Sequence, residues 1–205
     1  MIPVMLAQKP KTFDATVRNP GLAWLARNNI PLAAKLPRGT KLPPLWRLAL
    51  TDLHTQYGGV CAYLCVFVER CTGGVSADHY VAKSHAAGRA YDWDNYRLAC
   101  MTMNAKKRDF TTVLDPIGLL PGTFSLNLAS GSISPGAGLG AAALAAASDT
   151  ISRLGLDEPG PRAMRARHFT EYLGMKGAAP NPAVEAHLKR TSPFVWYEAQ
   201  RLGLL

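Results

Sequence analysis

Asp78 and His79 stand side by side in the segment ADHYVAKS, Asn95 follows His79 by sixteen residues, and Asn104 follows Asn95 by nine. Lys107 lies three residues further on. Cutting a phosphodiester needs a base to activate water, a divalent metal to hold the phosphate and the leaving oxygen, and a fixed geometry. A neutral imidazole, a carboxylate and an amide carbonyl supply that base and two hard oxygen ligands. The stretch Cys61–Asp109 therefore holds the residue types for metal-assisted hydrolysis of nucleic acid.

The same stretch, CAYLC, ADHYVAKS and YDWDNYRLACMTMNAKKRD, resembles the HNH nuclease superfamily. That family builds a ββα-metal core with an Asp-His on its first strand. A middle Asn lies near its second strand, and a His or Asn metal ligand on the following helix. With Asn104 in the last position, the chain is similar to the H-N-N variant. Weaker similarity in PKTFDATVRNPG and in VLDP, Val113 to Pro116, is to stand-alone bacterial HNH proteins, some linked to anti-phage defence.

The resemblance implies roles that the residue chemistry supports. His79 is the expected general base, because an unperturbed imidazole keeps a neutral fraction at physiological pH. Asp78 and Asn104 are the expected metal ligands; their bland alternatives are a turn-capping Asp and a helix N-cap. Asn95 is expected to orient the base or brace the loop, not to bind metal, with an Asx-turn residue as the alternative. Lys107 has the offset to approach a phosphate or the developing charge. Lys83, Lys106 and Arg108 are expected grips on the backbone, and a solvated helix face is the alternative for Lys106, Lys107 and Arg108. Where related proteins carry Pro-Lys-Ser, this chain has Ala82-Lys83-Ser84.

Many HNH proteins carry two CxxC knuckles around a structural zinc. Here Cys61 and Cys65 form CxxxC, and Cys100 is followed by Met103 where a fourth thiolate would stand. Methionine suits zinc poorly. Only Cys71, folding back, would complete the set, so a structural zinc is disfavoured and buried apolar thiols are the expectation. Oxygen-rich ligation favours Mg or Mn over Zn at the catalytic site.

Net charge is +9 over 205 residues. Its distribution is uneven: residues 1–60 carry eight lysines and arginines against Asp14 and Asp52, an excess of six. A basic segment ahead of a nuclease-like core is the footprint of a polyanion partner. Lys35, Arg38 and Lys41 are its expected contacts, with DNA favoured over RNA. No run approaches the roughly 18 apolar residues of a membrane span, and the N-terminus MIPVMLAQKPK lacks an apolar signal core, so a cytoplasmic protein is expected.

The elements that must position these residues follow from pattern. A short helix is expected near Gly21–Asn28, and a second over Leu45–Tyr57, where leucines recur at helical spacing. Gly58-Gly59 closes it. Val60–Val68 should lead into the core, Val75–Tyr80 and Tyr96–Met101 should be its strands, and a helix should begin at about Asn104. Beyond it, Thr123–Ile133 reads as a hairpin, with helices through Leu154, over Arg162–Met175 and over Ala183–Leu202, broken near Pro193. A turn is expected at 157–160 and a linker at 176–182.

The sequence thus predicts an α+β protein in three parts: a basic N-terminal arm and helix (1–57), an HNH ββα-metal core (58–112), and a hairpin with a C-terminal helical region (113–205). The expected function is metal-dependent endonuclease activity. The alternatives are a catalytically weak nucleic-acid-binding module, or a nuclease subunit of a larger defence-type complex with a partner such as an ATPase. One active centre per chain favours nicking unless the protein forms a homodimer. The missing His-x-Glu and Pro-Cys-x-x-Cys motifs argue against a zinc deaminase.

Overall fold

The computed structural model describes residues 1–72, 74–177 and 180–205. It mixes helices and strands, and its contacts divide it into two compact units. One comprises residues 6–59 and 68–111, and the other residues 1–5, 60–67 and 112–205.

In the 6–59/68–111 unit a π-helical turn, Asp14–Arg18, runs into α1 (Asn19–Arg27), and a 3-10 turn, Leu45–Ala49, runs into α2 (Leu50–Gln56). Gly58 and Gly59, both at positive φ, end that second helix. Strands β1 (Val75–His79) and β2 (Tyr96–Cys100) pair antiparallel, with Asp78 opposite Arg97 and His79 opposite Tyr96. Helix α3 (Met101–Lys107) follows at once. It starts three residues before Asn104, because Cys100 in extended conformation serves as the N-cap and the Met101 amide donates to the Gly74 carbonyl.

Residues 6–59, most of the basic arm and helix expected over 1–57, supply apolar side chains to the core of this unit. Phe13, Val17, Leu25 and Leu53 are buried in one core with Ala77, Tyr91, Trp93, Tyr96 and Leu98. The Phe13 ring meets Trp93 and Tyr96 edge-on at 5.4 and 5.7 Å. Polar groups left by that burial are paired: Trp93 Nε1 donates to the Ala7 carbonyl and the Tyr91 hydroxyl to the Pro43 carbonyl. Gly21 is required in α1, since a Cβ there would run into the Tyr91 ring. Residues 32–34 dock by backbone bonds onto the β1–β2 connection, through Ala87 N to Ala34 O and Gly88 N to Leu32 O.

In the other unit, β3 (Phe124–Leu126) pairs antiparallel with β4 (Ile133–Pro135) as the expected hairpin. Helices α4 (Ala141–Leu154), α5 (Pro159–Lys176), α6 (Pro182–Thr191) and α7 (Pro193–Arg201) follow. The expected turn at 157–160 is shorter, because Pro159 already stands at the first position of α5. The expected linker 176–182 includes residues 178 and 179, which lie outside the described residues. Arg165, buried in α5, donates to the Gly131 and Leu156 carbonyls at 2.7 Å and ties the hairpin turn to the helices. The segment 60–67, expected as the lead-in to the nuclease-like core, belongs to this unit: Val60 bridges to Phe67, and the Phe67 amide donates to the Thr191 carbonyl. Among the described residues no helix is long and apolar enough to cross a membrane.

Candidate active site

Asp78 and His79 end β1 and are both buried, at 2 and 6% exposure. They line a cavity of about 500 Å³ together with Asn104 from α3. Lys83, Ser84, Arg108 and Asp109 also line it. Leu36, Pro37, Arg38, Gly39, Thr40 and Trp46, from the segment ahead of α2, supply the rest of the lining besides Ala77 and Ala82.

The His79 ring is fixed from three sides. Its Nε2 lies 3.1 Å from the Ala90 carbonyl. A carbonyl only accepts, so Nε2 carries the proton and Nδ1 keeps the lone pair that a base needs. Trp46 meets the imidazole edge-on at 4.9 Å, and Tyr96 does so at 5.1 Å. The Tyr96 hydroxyl donates to the same Ala90 carbonyl at 2.7 Å. Burial pushes the His79 pKa down to about 3, helped by the positive charges of Lys83 and Lys107 and opposed by the Ala90 bond. The ring is therefore neutral at physiological pH.

Asn95, fully buried, braces the loop between the strands. Its Oδ1 accepts from the Val81 amide at 2.8 Å, and its Nδ2 donates to the Val81 and Arg89 carbonyls at 3.0 and 2.8 Å. The loop that presents Lys83 and Ser84 is thus held by the side-chain amide of Asn95.

Lys107 differs from expectation. Its side chain is completely buried, and its ammonium donates to the His79 and Tyr80 carbonyls at 3.1 and 2.8 Å and lies 3.6 Å from Asp78 Oδ1. It is neither on a solvated helix face nor free to meet a phosphate; it is a cation beneath the end of β1. The signal was present in the sequence, because Lys107 is four residues after the buried Met103 and shares its helix face.

Lys83 rests over the Trp46 ring, 4.3 Å from its centroid. Burial lowers its pKa, Asp78 opposes that shift, and Arg47 adds to it. Arg38 and Arg108 are exposed at the cavity, Lys35 and Lys41 are exposed near it in sequence, and Lys106 is half-buried on α3. Neither the contact of Trp46 with His79 nor the Ala90 carbonyl follows from the sequence. Trp46 lies more than thirty residues upstream of His79 and meets it only through the tertiary fold, and any residue type supplies a carbonyl.

Cys61 and Cys65 are buried in the 1–5/60–67/112–205 unit, whereas Cys71 and Cys100 belong to the 6–59/68–111 unit. Among the described residues, no three of His, Cys, Asp and Glu gather as a metal-holding group. The chain matches no protein-family model and no curated protein.

Proposed function

We propose that the chain is a metal-dependent endonuclease of the HNH type, with β1, β2 and α3 as its ββα-metal core and DNA as its favoured substrate. One observation carries the reading. A buried Asp-His pair and the Asn of the following helix line one cavity, with the imidazole locked in a single tautomer by Ala90.

The donor set fits a hard divalent cation, since it offers a buried carboxylate and an amide carbonyl at the same cavity. Asp78 and Asn104 would hold it, and a bound Mg²⁺ or Mn²⁺ would supply charge to the phosphate and its leaving oxygen. The Lys107 ammonium beside Asp78 leaves the carboxylate partly neutralised, which suits a weakly held ion more than a tightly held one.

The chain's own residues perform the remaining work. His79 Nδ1 takes a proton from water, the water oxygen bonds to phosphorus, and the bond from phosphorus to the leaving oxygen breaks. The Ala90 carbonyl holds the ring through its Nε2–H and favours the imidazolium that results. Burial makes His79 a weak base in the free chain. A phosphate beside Lys83 offsets the lysine's repulsion and raises its basicity as substrate enters. Lys83, Lys106, Lys35, Arg38 and Lys41 grip the backbone.

The test is cleavage of supercoiled plasmid and of a single-stranded circle in Mg²⁺, Mn²⁺, Zn²⁺ or chelator. Nicking in Mg²⁺ or Mn²⁺ that chelator removes is the expected result. No cutting of either substrate in any metal would overturn the reading.

A further inference from the structure

Arg108 ends α3 with φ 51 and ψ −127. The Phe110 amide donates to the Lys107 carbonyl at 3.2 Å, so residues 107–110 close a turn in which Arg108 has the first central position of type II′. Glycine dominates that position, because a Cβ at positive φ crowds the backbone. Three described non-glycine residues have positive φ: Asn29, Cys65 and Arg108. Asparagine tolerates such a conformation, and neither Asn29 nor Cys65 lines the cavity. Arg108 does line it, with Asp78, His79 and Asn104.

Among the described residues no carboxylate or carbonyl engages the Arg108 guanidinium, and the residue is exposed and lines the same cavity as His79. Lys107, its neighbour, is buried under β1, and Lys83 rests on Trp46. A strained backbone conformation persists where the surroundings hold it, and such residues gather at sites where aim matters. A guanidinium is also the group whose fork matches a phosphate by two parallel hydrogen bonds.

Resting on the endonuclease reading, we propose that Arg108 is a catalytic residue. Its guanidinium contacts the phosphate under attack and stabilises the charge that builds on its oxygens, and the turn is kept strained to aim it. This differs from a general grip on the backbone, which acts on any phosphate and leaves the chemical step unchanged.

The experiment compares the full-length chain with Arg108→Gly and Arg108→Lys. It reads melting temperature in metal-free buffer, and kcat and KM separately on plasmid DNA in Mg²⁺ and Mn²⁺. Glycine relieves the strain, so Arg108→Gly should melt about 2–4 °C higher. Its kcat should fall about 100-fold or more, with KM within a few-fold of wild type. Arg108→Lys keeps a point charge and should recover part of the loss. Unchanged kcat in Arg108→Gly overturns the proposal, as does a loss confined to KM. A lower melting temperature accompanying the loss of activity also overturns it, because the arginine would then be structural. A wild-type chain that cuts nothing removes the endonuclease reading itself. One that cuts, and is matched by Arg108→Gly, removes only this proposal.

Discussion

The indole of Trp46 meets the imidazole of His79 edge-on, ring centre to ring centre at 4.9 Å and with the planes at 90°. The segment ahead of α2 is thereby part of the site, since the same indole carries the Lys83 ammonium on its face. Trp46→Ala should leave the imidazole free to tilt and should lower kcat about 10- to 100-fold, a cost typical of misplacing a reacting group by about 1 Å. Trp46→Phe keeps an aromatic edge and should lose much less. Steady-state kinetics on both variants, with melting curves to show that each is folded, check this.

Lys107 is expected to be a structural cation. Lys107→Met removes the ammonium beside Asp78 and leaves the His79 and Tyr80 carbonyls without that donor, so it should destabilise the protein by about 3–5 kcal/mol in urea unfolding. A loss below about 1 kcal/mol would show that the ammonium is not needed to balance Asp78.

Asn95 is expected to act through the loop it holds. Asn95→Ala leaves the Val81 amide and the Val81 and Arg89 carbonyls without their partner, at a cost of about 2–4 kcal/mol. Hydrogen exchange at residues 81–89 should quicken in this variant before the strands β1 and β2 do. Uniform quickening across the unit would instead mark Asn95 as a general core residue.

Of the cations in residues 1–60, Lys9 is paired with Asp14 and Arg18 lies 3.4 Å from Asp92. Lys35, Arg38 and Lys41 are exposed and available to a polyanion. Changing these three together to Ala should weaken DNA binding and flatten the dependence of log affinity on log salt by up to about 3, while cleavage at low salt survives. An unchanged slope in a salt titration would leave these charges as a solvated face.

Much of this was legible in the sequence where the information is local. The strands around Asp78-His79 and before Met101 lie where the Asp-His and Asn spacing puts them, and the breaks at Gly58-Gly59 and Pro193 follow from backbone chemistry. What was not legible depends on distant contacts. Phe13, Val17 and Leu25 lie in a segment rich in Pro and Lys, and only the packing of Tyr91, Trp93 and Tyr96 makes them core. The burial of Lys107 is hidden in the sequence for a different reason. A lysine near a helix end reads as solvated unless its helical phase against Met103 is given more weight than its charge.

The endonuclease reading requires His79 to act as the base that activates water. The most direct measurement is the nicking rate of supercoiled plasmid by wild type and by His79→Ala, purified in parallel and shown to be folded and to bind DNA alike. Removing a positioned base should slow nicking about 10²- to 10⁴-fold in the same Mg²⁺ or Mn²⁺ buffer. Nicking by His79→Ala at the wild-type rate would contradict the account.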